Sequence, residues 1–153
     1  MSKKILMVCL GNICRSPVAD GMLRKKAAEA GIDVIVDSCG TGGWHAGESP
    51  DPRSQENARA NGLDISSLRA RQFRPEDLDE FDMIFCMDRS NVKDVLAQAE
   101  NDAQRAKVRL LLDLTHPEQD KEVPDPYYGG DRGFQTVHDL IEEACEVLIE
   151  ELR

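Results

Sequence analysis

Residues 8–17 read Val8-Cys9-Leu10-Gly11-Asn12-Ile13-Cys14-Arg15-Ser16-Pro17, and the rest of the chain is organised around them. The apolar run at 5–9 predicts a buried strand. Ser16 and Pro17 predict a helix start, with Ser16 as the N-cap and Pro17 as the first helical residue. The residues between must form a tight strand-to-helix loop. Such a loop directs free backbone N–H groups and the positive end of a helix dipole at one point, which makes it an anion site.

Two side chains add chemistry to this loop. Arg15 carries a planar, permanently charged guanidinium that fits phosphate oxygens with two parallel hydrogen bonds. Cys9 stands at the entrance of the loop, where the same positive field favours a thiolate. A nucleophile that faces a phosphate cradle predicts phosphoryl transfer to sulfur. We expect the substrate to be bound by residues of this loop: Leu10, Gly11, Asn12, Ile13, Cys14 and Arg15.

Composition narrows the class of protein. The chain has 153 residues, which predicts one domain over 1–153. Its formal net charge of −10 argues against nucleic acid as a partner. Its five cysteines are irregularly spaced, so we expect reduced thiols and a cytoplasmic location rather than a disulfide framework. No apolar run is long enough for a membrane span. No Cys or His stands two to four residues from Cys9, which argues against a metal there.

Hydrophobic patterning predicts strands that alternate with helices. Four strands are expected, at 5–9, 33–37, 83–87 and 108–112. Helices are expected from Ser16 to Gly31, after Asp51 to Gly62, after Asp88, and from Asp131 or Arg132 onward; a short helical turn is expected at Pro75-Glu76, and loops at 38–49 and 115–133. Strands that are apolar almost throughout are typical of parallel sheets. The predicted fold is therefore α/β, a single-domain three-layer fold with a four-stranded parallel sheet and helices on both faces. Ligands of such sheets bind beyond the carboxyl ends of the strands, where Cys9 stands.

A second motif supplies a proton donor. In the stretch Val123-Pro124-Asp125-Pro126-Tyr127-Tyr128, Pro126 holds Asp125 extended and offers no N–H to its carboxylate. If Cys9 attacks an aryl phosphate, Asp125 is the candidate acid for the leaving phenoxide. Tyr127, Tyr128 and Trp44 are candidate walls of the cleft. The competing interpretation is a plain surface turn, because Asp-Pro and Gly-Gly are ordinary turn sequences.

Together, 8–17 and 125–128 closely resemble the low-molecular-weight protein tyrosine phosphatases. The likeness extends along nearly the whole chain, through Asp37-Ser38, Trp44, Ser49-Pro50-Asp51-Pro52-Arg53, Ala70-Arg71-Gln72 and Cys86-Met87-Asp88. The resemblance implies a four-stranded parallel sheet, no metal or other cofactor, and a cysteinyl-phosphate intermediate. It implies that Cys9 is the nucleophile, that Arg15 binds phosphate, and that Asp125 is first acid and then base. It also implies a tyrosine-phosphorylated protein as substrate and inorganic phosphate as product, and we expect a monomer.

The resemblance also assigns supporting residues. It implies that Asn12 holds the loop in shape with Ser38 beside it, and that Ser16 bonds the thiolate. The chain departs from the pattern at one position. Many members carry a histidine two residues before Ala-Arg-Gln, directed towards the loop asparagine, and Leu68 stands here. The support of Asn12 must come from elsewhere.

Three other functions compete with a tyrosine phosphatase. A phosphoarginine phosphatase resembles the chain, but such relatives tend to carry Thr where Ile13 stands. A thiol arsenate reductase of the same fold needs further thiols as an electron relay, and no second Cys lies near Cys86. A non-catalytic phosphotyrosine binder is not favoured, because nucleophile, arginine and acid are all present. Cys14 has two open interpretations, a disulfide partner for Cys9 or a small packed residue. The three histidines, His45, His116 and His138, are interpreted as surface or satisfied residues.

Overall fold

Four parallel strands form one sheet. The computed structural model describes residues 2–126 and 131–153. The strands are β1 (Lys3–Cys9), β2 (Val34–Gly40), β3 (Met83–Cys86) and β4 (Val108–Leu110). Their spatial order is β2-β1-β3-β4, and each neighbouring pair is parallel. The predicted sheet is confirmed, and β1 is one of its two inner strands. The carboxyl end of β1 leads into the loop at residues 9–15.

Helices cover both faces of this sheet. They are α1 (Arg15–Ala30), α2 (Pro52–Ala60), α3 (Asp77–Glu80), α4 (Arg89–Leu96), α5 (Asp102–Arg105) and α6 (Asp131–Leu152). Alternate residues of β1 point to opposite faces. Ile5 and Met7 join the core that contains α1 and α6, whereas Leu6 and Val8 join a second core with α3 and α4. Burying both faces of β1 locks its register, because a one-residue slip would exchange the two cores. The three-layer α/β prediction is confirmed.

The second strand is longer than its sequence predicted. It runs on through Ser38, Cys39 and Gly40, which were predicted as loop. The cause is pairing: Met7 lies beside Ser38, and Cys9 beside Gly40, so β2 follows β1 to its end. A local pattern of Ser, Cys and Gly does not reveal a partner strand. As a result, β2 ends at the same level as Cys9 and forms one side of the loop.

The start of α1 also differs from the prediction. The helix begins at Arg15, its N-cap is Cys14, and no side chain caps it. Ser16 is not the N-cap, because its hydroxyl lies against Cys9 and Asn12 instead. The helix ends as predicted: Gly31 adopts a left-handed conformation with φ 70°.

Two helix starts agree with the prediction, whereas the elements between them and α6 differ from it. Asp51 caps α2 through its side chain, and Asp88 caps α4. The fourth strand is shorter than predicted, since a 3₁₀ turn takes over at Leu111. Helix α5 was not predicted, and α6 begins at Asp131.

The predicted wall residues Tyr127 and Tyr128 lie outside the described residues. In the described part of the chain, no helix combines the length and hydrophobicity needed to span a membrane.

Candidate active site

The loop between β1 and α1 wraps around the sulfur of Cys9. Asn12 has a left-handed backbone with φ 59°, a conformation that Asn tolerates better than most residues. Its backbone N–H lies 3.3 Å from Cys9 Sγ and points at it. The loop fits closely against the end of β2. A Cβ on Gly40 would lie 2.7 Å from the Leu10 carbonyl oxygen, so this approach requires glycine.

A chain of hydrogen bonds lies beneath the loop. The Asn12 side-chain NH₂ donates to Ser16 Oγ over 2.7 Å. Ser16 Oγ in turn lies 3.0 Å from Cys9 Sγ. Asn12 and Ser16 are both buried, so these bonds are shielded from water. The sulfur therefore has two donors within reach, the Asn12 backbone N–H and the Ser16 hydroxyl.

Arg15 is fixed from outside the loop. Its Nη1 donates to Asp88 Oδ2 over 2.7 Å and to the Val123 carbonyl over 3.0 Å. The side chain is only 3% exposed. Burial works against the charge of Arg15, but Cys9, Asp88 and Asp125 outweigh it and raise the pKa of the guanidinium above its ordinary value. A rigid cation of this kind is suited to an anion with several oxygens.

Asp125 lies in the segment that follows β4 and its 3₁₀ turn and passes the end of β3. Its Oδ2 lies 4.0 Å from Arg15 Nη2, and about a third of its side chain is exposed. Because Arg15 also reaches Val123, two residues earlier, one guanidinium fixes the position of this loop relative to Cys9. The nucleophile candidate and the acid candidate are more than a hundred residues apart in sequence but open into the same space.

That space is a pocket of about 170 Å³. Among the described residues that line it, His45 was not predicted. The other eight were predicted for the site or its immediate surroundings: Cys9, Leu10, Gly11, Ile13, Cys14, Arg15, Trp44 and Asp125. The Asn12 side chain is not among them, since it is buried beneath the loop. Leu10 and Trp44 are exposed apolar residues at this pocket. A small anionic head with an apolar body matches such a lining.

Comparisons with known proteins agree with this geometry. The family model for low molecular weight phosphotyrosine protein phosphatase matches residues 4–153. The chain belongs to this family. It is 46% identical over 151 residues to a putative low molecular weight protein-tyrosine-phosphatase of Synechocystis sp., with 97% of this chain and 96% of the relative covered. The interpretation of the chain as a protein-tyrosine phosphatase is confirmed.

Solved structures give the same result. A protein tyrosine phosphatase from Entamoeba histolytica, crystallised with Hepes in its active site, matches with a TM-score of 0.92 and 38% identity. The match covers 99% of this chain and 97% of that one. A Drosophila arginine phosphatase matches with a TM-score of 0.89 and 32% identity, covering 97% and 96% of the two chains. The shared fold thus serves more than one phosphate substrate.

Three residues of the phosphatase site were missed by sequence reasoning. His45 lines the pocket, and its Nδ1 lies 3.0 Å from Glu48 Oε2. Asp88 was predicted only as a helix cap, yet it also holds Arg15. Arg71 donates its backbone N–H to Asn12 Oδ1 over 3.0 Å. The spacing between His45 and Glu48 was the only local signal, because Asp88 and Arg71 meet the loop through tertiary contacts.

The support of Asn12 comes from Arg71, since Leu68 has no donor to offer. The carboxamide oxygen of Asn12 accepts a hydrogen bond from the Arg71 backbone N–H, and Leu68 packs against the core. Within the described residues, no hydrogen bond joins Ser38 to Asn12. The backbone N–H of Ser38 instead donates to Asp37 Oδ1 over 2.8 Å. Burial raises the pKa of Asp20 nearby in the fold, and its ion pair with Arg24 partly offsets this.

The remaining cysteines of the phosphatase are buried thiols. All five cysteines are free. Burial raises the pKa of Cys14 to about 12, and it raises the pKa of Cys39 and Cys86 well above the ordinary value. These three thiols are therefore protonated at neutral pH. In residues 2–126 and 131–153, no group of three or more His, Cys, Asp or Glu is placed to hold a metal ion.

Proposed function

We propose that the chain hydrolyses phosphotyrosine in proteins through a phosphate ester on Cys9. The single observation that carries this proposal is the convergence of Cys9, Arg15 and Asp125 on one pocket. A nucleophile, a fixed cation and a carboxyl group are the three groups that the reaction needs.

In the first step, the Cys9 thiolate attacks phosphorus while the bond from phosphorus to the tyrosine oxygen breaks. Protonated Asp125 gives its proton to that oxygen, so tyrosine leaves as a neutral phenol. The guanidinium of Arg15 and the N–H groups of the loop hold the three non-bridging oxygens. Because Asp88 and Val123 fix Arg15 beforehand, little reorganisation is needed as charge shifts in the transition state.

In the second step, water attacks the phosphorus of the Cys9 intermediate. Asp125, now a carboxylate, takes a proton from that water, and the sulfur leaves as a thiolate. Inorganic phosphate is the product, and Asp125 is again protonated. The donors around Sγ, from Ser16 and the Asn12 backbone, favour a sulfur that carries negative charge when it leaves.

Aryl esters are the substrate class that suits the lining. Ile13 and Leu10 give the pocket apolar walls, and Trp44 offers an aromatic face at its edge. The arginine phosphatase with the same fold supports phosphoarginine as the second candidate. Ile13 favours the aryl substrate, since the relatives that act on phosphoarginine tend to carry Thr there. An arsenate reductase is less supported, because Cys86 is buried and stands apart from any second thiol in sequence.

Other properties follow the same proposal. We infer that 1–153 is one phosphatase domain that acts as a monomer, supported by the family match over 4–153 and the single sheet. Its free cysteines fit the reducing cytoplasm. The five residues Leu10, Gly11, Ile13, Cys14 and Trp44 would contact substrate, and Tyr127 and Tyr128 are proposed as further walls.

The test is Cys9→Ser, assayed with a phosphotyrosine peptide and by phosphate binding. We expect turnover to be lost and phosphate or vanadate affinity to persist, because the N–H groups and Arg15 remain. Cys145→Ala, a buried thiol on α6, is the matched control and should keep its activity. Substantial turnover by purified Cys9→Ser would overturn the mechanism.

A further inference from the structure

We propose that Arg71, clamped by Asp37 and Asp77, is a positioning residue that sets the direction of the hydrogen-bond chain ending on Cys9. The inference deepens the proposed function and rests on it. Arg71 is not among the pocket residues, and its role would be exerted entirely through Asn12 and Ser16.

The direction follows from which groups donate and which accept. A backbone N–H only donates, so the atom of Asn12 that faces Arg71 N must be the carboxamide oxygen, 3.0 Å away. The NH₂ group of Asn12 then faces Ser16 Oγ at 2.7 Å and can only donate to it. Ser16 therefore accepts one hydrogen bond from Asn12, and its own proton remains for another partner.

That proton has two acceptors within reach. Cys9 Sγ lies 3.0 Å from Ser16 Oγ, whereas the Cys39 carbonyl lies at 3.4 Å. The shorter contact to a charged acceptor is the stronger one. With Asn12 oriented by Arg71, Ser16 donates to sulfur and favours the thiolate. With the carboxamide reversed, Ser16 would give its proton to Asn12 and present only lone pairs to sulfur.

The position of the Arg71 N–H is fixed twice. On the backbone side, Gly40 N donates to the Arg71 carbonyl over 2.8 Å, and Phe73 N donates to the Gly40 carbonyl over 2.7 Å. The residue is thereby tied to the end of β2, next to the loop. A short bridge between Gly40 and Gln72 continues this contact.

On the side-chain side, two carboxylates hold the guanidinium. Nε donates to Asp37 over 3.0 Å, and Nη1 and Nη2 donate to the two oxygens of Asp77 over 3.0 and 3.2 Å. Asp77 is fully buried, so its charge is neutralised by this two-pronged pair and by the backbone N–H of Arg74. Burial works against the charge of Arg71, but Asp77 and Asp37 outweigh it and raise the pKa of the guanidinium.

The contacts of Arg71 explain how Asn12 is held although Leu68 stands at the position where many family members have a histidine. An aliphatic side chain has no donor for the Asn12 oxygen, and Leu68 packs into the core instead. The donor is supplied by the backbone of Arg71, three residues later, and the clamp on its side chain holds that backbone in place.

If only long-range charge effects acted, breaking the clamp between Arg71 and its two carboxylates would make the Cys9 thiolate easier to form. The proposed hydrogen-bond chain predicts that the thiolate becomes harder to form. Charged or titratable groups face Cys9 or the pocket around it from every neighbouring element. The loop and α1 contribute Arg15 and Cys14, and β2 contributes Cys39. Strand β3 and the start of α4 contribute Cys86 and Asp88, and the pocket wall contributes Asp125 and His45. Replacing Asp37 or Asp77 by Asn removes a negative charge and changes none of these. By Coulomb's law the thiolate would then form at lower pH.

The experiment measures the pH midpoint of Cys9 alkylation by iodoacetate in Asp77→Asn. We expect the midpoint to rise by about 0.5–1 pH unit, because Ser16 donates to sulfur less often. The acidic limb of kcat/KM for p-nitrophenyl phosphate should move by the same amount. Asp79→Asn, on the same short helix but bonded to Gln104, removes the same charge and should not raise the midpoint.

A second variant covers the possibility that Asp77→Asn does not fold. Asp37 is 44% exposed, so Asp37→Asn should fold, with a smaller rise in the midpoint. An unchanged or lowered midpoint in the folded variants would overturn the role of Arg71. The proposed function would still stand in that case if Cys9→Ser were inactive, so the two failures are separable.

Discussion

At the scale of single residues, Cys9 Sγ has two hydrogen-bond donors within reach, the Asn12 backbone N–H at 3.3 Å and the Ser16 hydroxyl at 3.0 Å. Ser16 illustrates the limit of sequence reasoning: Ser before Pro is a good helix cap, yet the Ser16 hydroxyl lies against sulfur. Cys9, Arg15 and Asp125 were predictable because their residue types and local settings carry the chemistry. Asp88 and Arg71 were not, since each meets the loop through a fold contact more than fifty residues away.

Asp125→Asn tests proton transfer at this scale. The amide keeps the size of the side chain but cannot protonate a leaving group. We expect phosphotyrosine hydrolysis to slow by about 10²–10⁴-fold, since the phenol that leaves has a pKa near 10. The loss on p-nitrophenyl phosphate should be smaller, because that anion leaves without help. The measurement is kcat for both substrates across pH, with and without acid trapping of a phosphoenzyme.

The pH profile separates proton transfer from mere positioning. In the parent, the basic limb should report deprotonation of the acid, and it should flatten in Asp125→Asn. If both substrates lost the same factor and the profile kept its shape, Asp125 would only hold its loop near Arg15.

At the scale of elements, helix α4 and the anion site share one carboxylate. Asp88 Oδ1 accepts the backbone N–H of Asn91 over 2.8 Å and so caps the helix, whereas Oδ2 accepts from Arg15 over 2.7 Å. The Asn91 side chain returns the bond by accepting from the Asp88 backbone N–H over 3.2 Å. The start of α4 thus determines where the Arg15 guanidinium lies.

Asp88→Asn separates these two tasks. The carboxamide oxygen can still cap α4. The free energy of unfolding should therefore fall by only about 1 kcal/mol, and the melting temperature should fall slightly. The charged bond to Arg15 is lost, and the inhibition constant for inorganic phosphate should rise about tenfold. Both are measurable by calorimetry and competition kinetics.

Asn91→Ala is the control for the helix. It breaks the other half of the capping box but leaves the bond between Asp88 and Arg15 in place. It should lower the melting temperature without changing phosphate affinity. A matching loss of affinity in both variants would mean that α4 acts on the site through its stability alone.

Element boundaries illustrate where local patterns fail. Strands β1 and β3 were predicted well, because a continuous run of apolar residues indicates a buried strand whichever strand it pairs with. The extension of β2 to Gly40 depends on pairing with β1, and the short helix α5 depends on an Asn101 cap within a polar stretch. Both are decided by neighbours that a single window of sequence does not contain.

At the scale of the whole molecule, two opposing electrostatic effects act over different distances. They are the negative net charge of the protein and the positive charge of Arg15 at the loop. A net charge of −10 repels an anionic peptide from afar, whereas the guanidinium of Arg15 attracts an anion at contact. Screening at physiological salt confines the repulsion to about 8 Å. The fold reconciles the two by holding the Arg15 guanidinium at a fixed position in the pocket, through its bonds to Asp88 and the Val123 carbonyl.

Stability is also linked to pH through the core. His138 on α6 is 3% exposed, and in the described parts of the chain its Nδ1 has no hydrogen-bond partner. The interpretation of His138 as a surface or satisfied residue is therefore wrong. Burial lowers its pKa from the ordinary value of 6.5, although Glu142 and Asp139 oppose the shift. The folded protein thus resists protonation at this residue.

The sign of the linkage follows. Below pH 6.5 the unfolded chain binds a proton at His138 that the folded chain does not, so the free energy of unfolding falls with falling pH until the lowered pKa is passed. In His138→Leu this contribution is absent. We expect the difference in unfolding free energy, variant minus parent, to increase steadily from pH 7.5 to pH 5.5 in urea titrations.

Val147→Ala, on the same helix and also packed against the core, removes apolar contacts but no titrating group. Its loss of stability, about 1–2 kcal/mol for two methyl groups, should be the same at every pH in that window. All other titrating residues are common to the parent and both variants, so their contributions cancel in the differences. A pH-independent difference for His138→Leu would mean that the folded protein protonates His138 as readily as the unfolded chain does.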